Sequence, residues 1–100
     1  MTRITSRWKR GGKLFVIVTY DVDVKRVGKV YKKLKEYLIW SQNSVFEGEI
    51  TKTKLMQCLH EVEEIINVKT DSVYVYTVKN PKHVNKTCYG IDKSFDEMFL

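Results

Sequence analysis

Phe15-Val16-Ile17-Val18-Thr19-Tyr20-Asp21 is an apolar run, rich in β-branched and aromatic residues, that ends in a carboxylate where a helical pattern begins. The lack of polar alternation predicts a central strand buried on both faces, with a neighbour on each side. Asp23 follows, and the helix opening at Val24 brings its positive N-terminal end near both acids. Asp23 suits the N-cap of that helix, because Asp ranks among the best caps. Asp21, at the mouth of a buried strand, is partly desolvated, a cost offset by a cation, a donor or a proton. The plainer alternative makes it a turn residue. One carboxylate does not hold a metal alone, but Mg²⁺ takes one or two carboxylates and keeps several waters. A second Asp21 from a symmetry-related subunit therefore completes a site.

Outward from this strand, Val24, Val27, Tyr31, Leu34 and Leu38 recur at steps of three and four and predict a helix over 24–37. Its other side carries Lys25, Arg26, Lys29, Lys32, Lys33 and Lys35. Like charges so spaced lower an isolated helix's stability by roughly a few tenths of a kcal/mol per pair. A phosphate backbone is the plainest partner for them, with simple solvation as the alternative. Gln42 to Ile50, centred on Val45 and Phe46, reads as a second strand, after which Thr51 caps another helix. Leu55, Met56, Leu59, Val62 and Ile66 form its expected buried stripe, Met56 and Cys58 are expected in the core, and Glu61, Glu63 and Glu64 lie outside. Ser72 to Val78 reads as a strand with large side chains on both faces, 81–86 as a loop, and Thr87 to Ile91 as a fourth strand.

The order so read is β-α-β-α-β-β, and it becomes the β-α-β-β-α-β of a ferredoxin-like domain only with one further strand. The expected fold class is α+β: a ferredoxin-like sandwich, an antiparallel sheet with two helices on one face, dimerising through the other face. That second face carries Tyr74 and Tyr76. An open-ended α+β sandwich is the other arrangement.

One hundred residues suit one domain, and the 18 basic against 12 acidic residues give a net charge of +6. The whole excess lies in residues 1–50, which hold 11 basic and 5 acidic residues, and such asymmetry points to polyanions. Residues 1–12 are expected to form a mobile basic arm in which Trp8, among Arg7, Lys9 and Arg10, is placed to stack on a base. Cys58 and Cys88 lack metal-ligand spacing and read as small core residues of a reducing, cytoplasmic protein; His60 and His83 are isolated. No apolar run approaches the length of a membrane span.

A strand ending Val18-Thr19-Tyr20-Asp21, a basic helix opening Val24-Lys25-Arg26-Val27, and the run Ser41-Gln42-Asn43-Ser44-Val45-Phe46-Glu47-Gly48-Glu49 together resemble the CRISPR-associated Cas-two proteins over residues 13–91. The resemblance implies a ferredoxin-like homodimer whose paired Asp21 carboxylates bind Mg²⁺ or Mn²⁺. It implies metal-dependent cleavage of single-stranded RNA or double-stranded DNA, a scaffold between two dimers of the Cas-one integrase in spacer acquisition, or both. Asp21 is then the catalytic and metal-binding residue; Lys25, Arg26, Lys29 and Lys33 meet nucleic acid; Asp23, Ser44 and Phe46 stand around the site. The tail, residues 92–100, is the counterpart of a family strand that pairs with the partner subunit. Leu38 and Trp40 depart from the family, which often has Gly and Arg there. The competing functions are a non-catalytic DNA-binding adaptor and a toxin-type ferredoxin-like RNA-cleaving domain.

Overall fold

The structure, a computed structural model, describes residues 12–80 and 83–92. The arm and nearly all of the tail expected from the sequence lie outside them. The first strand, β1 (Lys13–Asp21), is central in a five-stranded antiparallel sheet. Its burial alternates, however, which corrects the expectation of cover on both faces. Leu14, Val16, Val18 and Tyr20 are buried, while Phe15 is 37% exposed and Ile17 and Thr19 are only half-buried. The run is apolar on both sides, but the described chain covers just one of them fully.

Helix α1 (Val24–Lys35) follows, with Asp23 as its N-cap. Its inward stripe is Val27, Val30, Tyr31 and Leu34, continued past the helix end by buried Leu38. Val30, outside the expected stripe, is fully buried, and Val24, which belongs to that stripe, is 83% exposed. The missing strand is β2 (Ile39–Gln42), paired to β3 (Val45–Thr51). The single strand expected over Gln42 to Ile50 is thus mainly β3, the second arm of a hairpin whose first arm, β2, was not expected. Asn43 at its turn has a φ of 41°, a left-handed conformation that Asn tolerates better than most residues, and its carbonyl accepts from Trp40 Nε1 at 2.9 Å.

Helix α2 (Lys52–Ile65) is capped by Thr51, whose hydroxyl accepts from the Lys54 amide. Leu55, Cys58, Leu59 and Val62 are buried, the i, i+3, i+4, i+7 set of one helix face. Met56 lies about 100° around from Leu55 and is 51% exposed, so it is not a core residue as expected. Strands β4 (Ser72–Asn80) and β5 (His83–Gly90) complete the sheet, and β5 takes up most of the stretch expected as a loop.

The sheet order is β2-β3-β1-β4-β5, a ferredoxin-like arrangement with one strand added beyond β4. Both helices pack on one face. Phe46, fully buried there, meets Tyr20 and Tyr31 at ring-centroid distances of 6.2 and 5.4 Å. The ladder pairs place Phe15, Ile17, Thr19, Asp21, Glu47, Tyr74 and Tyr76 on the other face.

Candidate metal and nucleic-acid site

The C-terminal end of β1 gathers three carboxylates by different routes. Asp21 forms the last pair of the β1–β4 ladder, opposite Ser72, and it is exposed on the face away from the helices. Two residues on, Asp23 Oδ1 accepts from the Lys25 amide at 2.9 Å, as a cap does. Asp71, immediately before β4, is the third.

Asp71 is 1% exposed and saturated with donors. Arg26 gives Nε at 2.7 Å and Nη2 at 3.2 Å, a two-pronged charge-assisted contact. The amides of Asp23 and Asn67 donate at 3.1 and 2.9 Å, and the Thr70 hydroxyl at 3.4 Å. The Arg26 contact, reinforced by these amides, outweighs desolvation and holds the Asp71 carboxyl far below the usual carboxylate range. The same contact raises Arg26 above its ordinary value. The Asp71 carbonyl accepts from the Ile91 amide at 2.9 Å. A Cβ at Gly90, whose φ is 102°, would stand 1.9 Å from that oxygen, so only glycine fits there. Ser72 Oγ donates to the Ile91 carbonyl, and the Tyr74 hydroxyl donates to Asp92 at 3.1 Å.

The residues singled out from the sequence divide accordingly. Asp21, Asp23 and Arg26 come together at this end of the sheet, and the Ser44 carbonyl joins them by accepting from the Tyr20 amide at 3.2 Å. Phe46 does not: its side chain lies on the helix-bearing face, opposite Asp21. Lys25 and Lys29 are exposed on α1. Lys33 is turned to Glu36 and Glu61, at 3.4 and 3.3 Å. Glu61 is lowered by the Tyr37 hydroxyl, 3.0 Å away, and by Lys33. Arg26 is likewise committed to Asp71. Burial pushes the Cys58 thiol up to about 12, which makes it an inert core group. His60 sits beside Glu64 on α2.

Asp71 escaped the sequence reading, although the signal matched that of Asp21: a carboxylate abutting a run of β-branched and aromatic residues. Among the described residues no group of three or more His, Cys, Asp and Glu side chains is placed to hold a metal. Asp21 and Asp23 are exposed, but Asp23 is taken up as the cap of α1, so a hard cation would need a further carboxylate from outside this chain, with waters for the rest.

This architecture defines a class: a ferredoxin-like α+β domain with an acidic strand end beside a cationic helix. The family model described as CRISPR associated protein Cas2 matches residues 14–86. The chain belongs to that family. It is 52% identical over 79 residues to CRISPR-associated endoribonuclease Cas2 3 of Thermodesulfovibrio yellowstonii, covering 79% of this chain and 90% of that protein. To the CRISPR-associated endoribonuclease Cas2 of Dictyoglomus turgidum it is 41% identical over 87 residues, 87% of this chain and 100% of the relative. A crystal structure of Cas2 with 43% identity superposes with a TM-score of 0.64, over 83% of this chain and 93% of the other. For Streptococcus pyogenes Cas2 at pH 6.5 the values are 30% and 0.56, over 84% and 93%. No helix among the described residues is long and apolar enough to cross a membrane.

Proposed function

We propose that the protein is a divalent-metal-dependent endonuclease of phosphodiester backbones, working as a homodimer in which Asp21 of each copy faces the other. The observation that carries this is the place of Asp21, exposed at the end of the central strand on the sheet face that the helices leave open. Phe15 and Ile17 share that face, and Ile39, 71% exposed, borders it on β2. An apolar face of this kind suits a second copy, and a two-fold axis near the strand end would pair the carboxylates. Like charges so paired favour a cation. The relatives' description as endoribonucleases supports RNA as the substrate.

Asp21 from two chains would hold Mg²⁺ or Mn²⁺, and the ion would supply an activated water and neutralise phosphate charge. Lys25 and Lys29 bind and orient the backbone without reading sequence, while Asp23 keeps the helix N-terminus in place beside it. Asp21→Asn keeps the size and removes the charge. Cleavage of single-stranded RNA with Mg²⁺ should fall to background in this variant, with dimer and duplex binding intact; cleavage at the wild-type rate would rule the metal reading out.

One observation favours a second role. Lys25 and Lys29 stand exposed on α1, a cationic surface that suits a phosphate backbone whether or not cleavage follows. The same dimer, with its basic helices, serves as a scaffold on duplex DNA between dimers of the Cas-one integrase, and that role needs no bond cleavage.

A further inference from the structure

We infer that Asp71, gripped by Arg26, is the positioning residue for Asp21. The inference rests on the reading of Asp21 as the metal ligand. The ladder between β1 and β4 ends at the pair Asp21 and Ser72, so Asp71 is the first residue beyond it on one side and Val22 the first on the other. There the chain must leave the sheet, and a free strand end at this point would fray. It is instead caught again at once: the Asp23 amide donates to Asp71 Oδ1 at 3.1 Å. Asp21 is therefore bracketed by two fixed points, the ladder on one side and the Asp71 carboxylate two residues later. Between them lies Val22, itself packed against the core.

The bracket has its own support. Arg26 belongs to the first turns of α1, so its fork on Asp71 ties the helix to the start of β4 and sets the angle at which the chain turns between them. The Asn67 amide and the Thr70 hydroxyl hold the carboxylate from behind. The Ile91 amide on the Asp71 carbonyl fixes its main chain. Nothing in the capping of α1 needs Asp71, because Asp23 already caps that helix with its own side chain. A buried carboxylate with five donors placed on the chain that follows a ligand does for Asp21 what outer groups do for metal-binding side chains, where their loss costs about 10–100-fold in affinity. Asp71 touches neither metal nor substrate in this account; it acts through the backbone of residues 21–23.

The test compares wild type, Asp71→Asn and Glu61→Gln by ¹⁵N relaxation of backbone amides and by calorimetric titration with Mg²⁺ alone. Asp71→Asn keeps the shape but removes the charge and replaces one of the two acceptor oxygens with an NH2 group, which cannot accept from the donors that face it, either Arg26 Nε and the Asn67 amide or Arg26 Nη2 and the Asp23 amide. Glu61→Gln loosens an ion pair elsewhere and controls for general destabilisation. Expected in Asp71→Asn are lower order at Val22 and Asp23, unchanged order at Val16 and Val18, and a Mg²⁺ dissociation constant raised about tenfold or more; Glu61→Gln should change neither. Unchanged order at Val22 and Asp23 in Asp71→Asn overturns the inference, as does unaltered Mg²⁺ affinity in a protein that binds the ion. Wild type that fails to bind Mg²⁺ while the loop loosens in Asp71→Asn removes the metal reading and leaves the bracket standing. Should Asp71→Asn not fold, Arg26→Lys keeps the charge, loses the fork, and carries the same comparison.

Discussion

Three carboxylates within a few residues of two strand ends take three different parts, and burial and donors decide which. Asp71 is buried and fully bonded, so removing Arg26 would leave a desolvated charge behind. Arg26→Ala should lower unfolding stability, read from urea melts as a lower midpoint with an unchanged slope. The pH dependence follows from the depressed Asp71 value. A carboxyl whose folded value lies below its unfolded one stabilises above the unfolded value, near 4, and loses that contribution as pH falls through the folded value. Stability of the wild type should therefore decline below about pH 4 more steeply than that of Asp71→Asn; parallel acid limbs would contradict the assignment. At this scale the sequence was partly legible. Asp23 as a cap and Cys58 as a core thiol follow from propensity and spacing. The Arg26–Asp71 pair spans 45 positions, and no local pattern joins residues so far apart. It is why Arg26 read as one more exposed cation of the helix.

At the scale of elements, the three-and-four spacing of apolar residues marked both helices, while β1, β3 and β4 were legible as runs of β-branched and aromatic residues. β2 was invisible: all four of its residues are exposed, so no apolar alternation marks it. Its available signal was Asn43-Ser44, turn residues between two stretches rich in β-branched and aromatic side chains. The outer side of α1 read as uniformly cationic, yet Arg26 and Lys33 are drawn into ion pairs, leaving Lys25 and Lys29 as the phosphate contacts proposed. Neutralising both should weaken duplex binding alike on all sequences and reduce the slope of log affinity against log salt by about 2 for each chain that contacts the duplex. A sequence-selective loss would speak against backbone contact. At the far edge, Gly90→Ala should destabilise by about 1–3 kcal/mol or more, since its backbone is in a glycine conformation and its Cβ meets the Asp71 carbonyl. A melting temperature equal to wild type would contradict that geometry.

For the whole molecule, the telling feature is a sheet covered fully by its own helices on one face only. The apolar run of β1 suggested burial on both faces, and a second copy over Phe15 and Ile17 would reconcile that sequence with this structure. Sedimentation at micromolar concentration should accordingly find a dimer; a stable monomer would remove the shared site as well as the interface. A metal ion held between two Asp21 side chains, as proposed, is open to calorimetric Mg²⁺ titration of the purified protein without recourse to activity. About one ion should bind per two chains, with affinity rising with pH through the acid range, and none should bind to Asp21→Asn. One ion per chain, or undiminished binding in Asp21→Asn, would contradict the shared site.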